Sequence, residues 1–228
     1  MPDYREVYAR HADRYDALVA REDRDGNLPR ALAEVAPGDA LDVVETGAGT
    51  GRVTRLLAPR ARSIRAFDAA PAMIAQARAA LGHLAHVSFD VATHDALPVG
   101  PASADLAVEG WAFGHAVGWN PCAWRDDVRR YVDALTRTLR PGGRLVLIET
   151  MGTGVEVPFA GGHSLEPFHA FVTGELGFAH RGVRTDYGFG SVDEAAEMLG
   201  FFFGERMAAR VRDNGWAAVP EWTGVYWR

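Results

Sequence analysis

The chain has 228 residues, a formal net charge of −6, and 48% apolar residues. That length suits one large α/β domain, and the apolar content is ample for its core. A net acidic chain without a basic tract argues against a nucleic-acid partner. No lysine is present, so Schiff-base enzymes and P-loop NTPases are excluded. The single cysteine, Cys122, excludes an internal disulfide and a cysteine-based metal cluster. No apolar run approaches the ~18 residues of a membrane span. The charged start, MPDYREVYARHADRYD, is unlike an export signal. The expectation is a cytoplasmic monomer or homodimer that acts on neither membranes nor nucleic acid.

Apolar steps of three and four residues predict a helix over 3–20, broken at Asp25-Gly26-Asn27. A short helix, Leu28 to Val35, stops at Pro37-Gly38. A first strand, Ala40 to Thr46, enters a glycine loop, and a helix follows over Val53 to Leu57. Ser63 to Asp68 reads as a second strand, and Pro71 to Leu81 as a helix with proline at its start. His86 to Val91 and Ala104 to Glu109 read as the third and fourth strands. Trp124 to Leu139 is a helix stopped by Pro141-Gly142-Gly143, and Arg144 to Thr150 is a fifth strand. Gly152 to Gly162 reads as a mobile loop and Glu166 to Leu176 as a helix. Gly182 to Phe189 reads as a strand, 192–201 as a helix capped by Ser191 and Glu194, and Trp222 to Trp227 as a final strand. Alternating strands and helices predict a Rossmann-like α/β fold. The expected sheet has seven mostly parallel strands, helices on both faces and an antiparallel C-terminal strand. One domain spans 1–228: N-terminal lid helices over 1–38, a cofactor-binding core over 40–150, and acceptor-side elements over 151–228.

The loop Glu45-Thr46-Gly47-Ala48-Gly49-Thr50-Gly51 lies between a strand and a helix. Glycines there allow a sharp turn and close approach to a ligand, and the helix start offers free N–H groups. Dinucleotide enzymes want G-x-G-x-x-G. The third glycine of that pattern is Arg52 or Thr54 here, depending on register, so neither register fits. Asp68 ends the second strand, 23 residues beyond Glu45. That interval brings a carboxylate to ribose hydroxyls in a strand–helix–strand unit; an acid serving only the dipole of the helix at Pro71 is the other reading. Asp95, in Thr93-His94-Asp95-Ala96-Leu97-Pro98, is open between an adenine contact and a turn before the proline.

Residues 40–150 resemble the core of class I S-adenosylmethionine-dependent methyltransferases of the small-molecule type-11 and type-25 kind. The segments that carry the likeness are VVETGAGTG, FDAAPAMIAQAR, THDALP, ADLAVEGWAF and LRPGGRLVLIE. The resemblance implies S-adenosylmethionine as cofactor and S-adenosylhomocysteine as product. It implies that Glu45, Gly47, Ala48, Gly49 and Gly51 line the methionine part. Asp68, with Ala69, would hold the ribose, and Met73 would pack on adenine. Asp95 and Ala96 would meet the adenine edge, and Glu109, Gly110 and Trp111 the boundary with the acceptor. The pattern Tyr8, Ala12, Tyr15-Asp16 resembles the family's lid helix, which brings Tyr15 to the cofactor. His94 stands where these enzymes often carry glycine. The C-terminal third is similar to bacterial members of the family and names no substrate.

Methyl transfer from a sulfonium is an in-line displacement that needs alignment and exclusion of water. A base is needed only for an acceptor that must lose a proton. The segment past the fourth strand, with Trp111, Phe113, Trp119 and Trp124, suits either an apolar pocket for a small-molecule acceptor or plain core. His115 and Glu149 are the candidate bases, with His163 and His169 behind them. No metal site is expected, because no carboxylate accompanies His163 and His169 at ligand spacing. Two other readings stand beside the methyltransferase: a non-catalytic adenosyl-binding module and an NAD-dependent oxidoreductase.

Overall fold

The computed structural model describes residues 4–160 and 162–228. In chain order the first elements are α1 (Tyr4–Arg10), α2 (Ala12–Val19), α3 (Asn27–Val35), β1 (Leu41–Thr46), α4 (Arg52–Leu57), β2 (Ala61–Asp68) and α5 (Pro71–Leu81). Then come β3 (Val87–Val91), β4 (Ala104–Gly110), α6 (His115–Trp119), α7 (Trp124–Thr138) and β5 (Leu139–Thr153). The chain ends with α8 (Glu166–Ala170), β6 (Ala179–Arg184), β7 (Tyr187–Gly188), α9 (Val192–Phe203), α10 (Glu205–Asn214), β8 (Ala218–Val219) and β9 (Glu221–Trp227).

Seven strands form one sheet in the order β3-β2-β1-β4-β5-β9-β6. Its first five strands are parallel, and β9 runs antiparallel between β5 and β6. This is the expected Rossmann-like sheet with its antiparallel C-terminal strand. Strands β1 and β4 are neighbours in space though not in sequence. The chain therefore leaves β1 toward one edge and β4 toward the other, which opens a crevice at their carboxyl ends.

Two apolar layers clamp the sheet. One joins Leu28, Leu32, Val43, Leu57, Ile64, Ile74, Leu106 and Ile148. The other joins Val44, Phe113, Val128, Val132, Leu135, Leu145, Leu147 and Tyr226. Each fully buried aliphatic or aromatic side chain stabilises the fold by roughly 1.5–3 kcal/mol. Strands β4 and β5 are covered on both faces, so they read as apolar runs without alternation.

Several expected boundaries shift. The helix expected over 3–20 is two helices, because His11 (φ −134°, ψ 36°) leaves the helical region; residue 3 itself lies outside the described residues. Strand β5 begins at Leu139, before the Pro141-Gly142-Gly143 stop, and Gly142 takes φ +81° within it. It also runs on to Thr153, where it pairs with Glu221 of β9, so the start of the expected loop is strand. The helix expected to end at Leu176 finishes in a π-turn over Phe171–Glu175. The strand expected over 182–189 is interrupted at Thr185-Asp186 and divides into β6 and β7. The cap on α9 forms as expected, with Glu194 N–H donating to Ser191 Oγ at 3.1 Å.

Candidate active site

The glycine loop leaves β1 through three glycines in left-handed backbone: Gly47 (φ 67°), Gly49 (φ 53°) and Gly51 (φ 88°). L-residues pay for that region in steric strain. The positions differ in what they face. A Cβ on Gly47 would lie 2.4 Å from Ala112 Cβ, and one on Gly51 would lie 2.7 Å from Leu81 Cδ1. A Cβ on Gly49 would find nothing nearer than the Tyr15 ring at 3.8 Å. Gly47 and Gly51 are thus required for packing, whereas Gly49 opens onto free space.

That space is a cavity of about 540 Å³ at the carboxyl ends of β1, β2 and β4, within the range of small-molecule sites. Of the residues expected at a cofactor, Tyr15, Gly47, Gly49, Asp68, Ala69, Met73, Gly110 and Trp111 line it, together with His115. Asp68 is held by two backbone donors: Gly49 N–H to Oδ2 at 2.9 Å and Ala70 N–H to Oδ1 at 2.8 Å. Burial raises its pKa, and these two bonds oppose the rise. The carboxylate does not cap α5, whose N-cap, Ala70, has no side-chain bond.

The other expected residues stand back from the cavity wall. Ala48 packs in the core, and Gly51 caps α4. Glu45 is fully buried and accepts from Thr54 Oγ1 at 2.5 Å. Its other oxygen has no hydrogen-bond partner among the described residues, and burial pushes its pKa up to about 8. Asp95 and Ala96 are exposed; Asp95 takes the Thr93 hydroxyl at 2.8 Å, and the neighbouring His94 lines the cavity instead.

Glu109 and Glu149 also turn inward. Glu109 accepts from the N–H groups of Ala112 and Phe113, and Glu149 from Gly114 N–H at 2.6 Å. Between them they fasten the turn that carries Trp111, itself in left-handed backbone (φ 55°). Burial raises the pKa of both carboxyls, and Glu149 raises Glu109 further. The Arg52 guanidinium lies over the Trp111 ring at 3.6 Å and pairs with buried Glu22 at 2.7 Å.

His115 starts α6 and shares a hydrogen bond with the Tyr8 hydroxyl through Nε2, at 2.9 Å. Its ring stacks on Trp119 at 4.6 Å and 13°. Burial, with His94 nearby, brings its pKa down to about 4. Tyr8 meets Tyr15 edge-on, and Tyr15 and Tyr4 pack against Phe202 of α9 at 5.5 and 5.0 Å. The N-terminal helices therefore cover the cavity and rest on α9. Arg5, Ala9, Ala70, Pro71, Ala72 and Ala112 also line the cavity. The last four lie within the segments FDAAPAMIAQAR and ADLAVEGWAF, where no role of their own is legible, and Arg5 and Ala9 lie outside the five segments that carry the likeness.

The Methyltransferase domain family matches residues 44–147, which run from within β1 to the middle of β5 and carry the glycine loop, Asp68 and Trp111. Residues 44–147 are therefore similar to a methyltransferase domain. It is 33% identical over 144 residues to the malonyl-[acyl-carrier protein] O-methyltransferase of Hahella chejuensis, covering 62% of this chain and 47% of that protein. The chain spans about half the length of the curated relatives it matches. Among solved structures, the fold is similar to a phosphoethanolamine N-methyltransferase of Haemonchus contortus in complex with S-adenosyl-L-methionine. The TM-score is 0.62 at 14% identity, covering 100% of this chain and 60% of that one. A SAM dependent methyltransferase of Aquifex aeolicus matches with a TM-score of 0.55 at 14% identity, over 98% and 92% of the two chains.

The cavity has a donor set suited to an adenosyl ligand. Each Asp68 oxygen accepts one backbone bond and keeps a lone pair for a ribose hydroxyl. The side-chain-free face of Gly49 lets a ligand touch the backbone. Among the described residues, no helix is long and apolar enough to cross a membrane.

Proposed function

We propose that this methyltransferase domain transfers a methyl group from S-adenosylmethionine to a small-molecule acceptor by in-line displacement. The observation that carries this reading is the Asp68 carboxylate, clamped by Gly49 and Ala70 and lining the cavity beside the glycine loop. In this reading Asp68 holds the ribose diol by two charge-assisted hydrogen bonds. Gly47 and Gly49 pass beside the methionine part, and the apolar wall of Ala69 to Met73 receives the adenine. When bound, the sulfonium supplies an activated methyl group and leaves as a neutral thioether.

The acceptor lies between the turn at Trp111 and the lid, among Arg5, Tyr8, His115 and Trp119. Tyr8 and Tyr15 close over it and exclude water, which favours displacement by the acceptor over hydrolysis. For an acceptor that loses a proton, the Tyr8–His115 pair is the proton-holding group: Tyr8 takes the proton while its own moves to His115 Nε2. Glu149 reaches Gly114 N–H rather than the cavity, so its proposed role is to position the turn before His115. The Hahella relative is a malonyl-[acyl-carrier protein] O-methyltransferase. An acceptor bearing an oxygen nucleophile is accordingly the first class to assay.

Thermal melting tests the cofactor assignment. Adenosylmethionine or adenosylhomocysteine at a hundred times its dissociation constant adds ~2.7 kcal/mol of stability, and NAD adds none. A melting shift with NAD alone ends this reading.

A further inference from the structure

Thr46 is fully buried at the carboxyl end of β1, and its Oγ1 lies 2.8 Å from His94 Nδ1. This is the only hydrogen bond of that hydroxyl among the described residues. If Nδ1–H donated to it, the hydroxyl's own proton would be buried without a partner, which is costly. Both groups are satisfied when Thr46 donates and Nδ1 accepts. The proton of the neutral imidazole then sits on Nε2. The ring is wedged between Phe113 at 5.2 Å and Tyr131 at 4.9 Å, so its orientation is set by packing. Burial brings its pKa down to about 4, so it is neutral at pH 7. No described residue bonds Nε2, and His94 lines the cavity. The same cavity carries the apolar segment from Ala69 to Met73 beside Asp68, a surface suited to a flat heteroaromatic ring. Asp95, the expected adenine contact, is exposed and already takes the Thr93 hydroxyl.

We propose that His94, oriented by Thr46, donates its Nε2–H to an accepting ring nitrogen of the purine in the adenosyl ligand. This makes it a specificity residue for the purine, in a loop whose Asp95 is exposed. The inference rests on the cofactor reading given above.

Calorimetric titration of S-adenosylhomocysteine and its 1-deaza, 3-deaza and 7-deaza analogues tests it. Wild type should bind one of the three analogues at least about fivefold more weakly than the parent, the value of one neutral hydrogen bond. His94→Phe should bind the parent at least about fivefold more weakly and lose the discrimination. His94→Gln keeps a donor and should recover part of both. Thr46→Val leaves the tautomer free and should fall between wild type and His94→Phe. Nitrogen-15 spectra of the histidine rings should show His94 protonated at Nε2. Equal binding of all four ligands by wild type overturns the inference, as does unchanged affinity in His94→Phe or a proton on Nδ1. If His94→Phe does not fold, the analogue series on wild type and Thr46→Val still decides. Failure of wild type to bind S-adenosylhomocysteine at all overturns the cofactor reading, and this inference with it.

Discussion

Gly49 N–H donates to Asp68 Oδ2 across 2.9 Å, joining the glycine loop after β1 to the end of β2. The carboxylate therefore has two duties: it shapes the loop, and it offers its remaining lone pairs to a ligand. Asp68→Ala should weaken S-adenosylhomocysteine by at least about tenfold, because bonds to a charged group contribute ~1.5–3 kcal/mol each. It should also lower the melting temperature of the free protein, since Gly49 and Ala70 each lose an acceptor. Titration and melting of the one variant check both effects. Undiminished affinity would move the ribose contact elsewhere.

Gly47 and Gly49 should respond differently to alanine. At Gly47 the new methyl meets Ala112 Cβ at 2.4 Å, so backbone must move and stability should fall well beyond the ~1–2 kcal/mol of left-handed strain. At Gly49 only that strain applies. Gly49→Val should remain folded yet lose the ligand, because its branches enter the cavity. Denaturant melts of both alanine variants and a titration of Gly49→Val would rank them. The opposite order of stability would contradict the packing described.

Glu45 has its pKa pushed up to about 8 by burial, from an ordinary 4.5. The folded state keeps the proton, while the unfolded chain releases it above pH 4.5. Wild-type stability is therefore lost as pH rises through 4.5 toward 8. Glu45→Gln removes that loss, so its melting temperature should gain on wild type progressively from pH 5 to pH 8. If the carboxyl serves the ligand's amino group, the same variant should bind S-adenosylhomocysteine more weakly. Unchanged affinity would leave Glu45 a purely structural group.

His94 and His115 are both held at about pH 4, against an ordinary 6.5. Below pH 6.5 the unfolded chain takes protons that the folded protein refuses. Stability should fall as pH drops from 6.5 to 4, by an order of 1–3 kcal/mol per histidine. The raised carboxyls act in the opposite sense, but equally in wild type and variant. A His94→Gln, His115→Gln double variant should therefore lose less melting temperature between pH 7 and pH 5 than wild type. Parallel melting curves would mean that these rings titrate normally.

The alternation of strands and helices, the glycine loop and the Asp68 interval were all legible in the sequence, because each is a local pattern within one strand–turn–helix unit. Spacing alone brought Gly47, Gly49 and Asp68 correctly to one cavity. Other residues were legible as candidates but not in their direction. Glu109 and Glu149 sit on strands covered on both faces, so no alternation tells which way a side chain points. Helices α6 and α10 were not among the expected elements, although α10 does place Ala208 and Val211 on one buried face. In α6 a five-residue turn holds too little periodicity to read.

The fold class, the glycine loop after β1 and the acid at the end of β2 were readable from the chain alone, since these depend on backbone conformation and on contacts one crossover apart. Which neighbours face the cavity was settled by packing in three dimensions: His94 rather than Asp95, and Tyr8 on His115 across 107 positions of chain. Packing also decided that Glu149 serves the turn at Gly114 instead of the cavity. Those outcomes depend on how α1, α6 and α9 pack over the sheet, and packing between distant segments leaves no periodic trace along the chain.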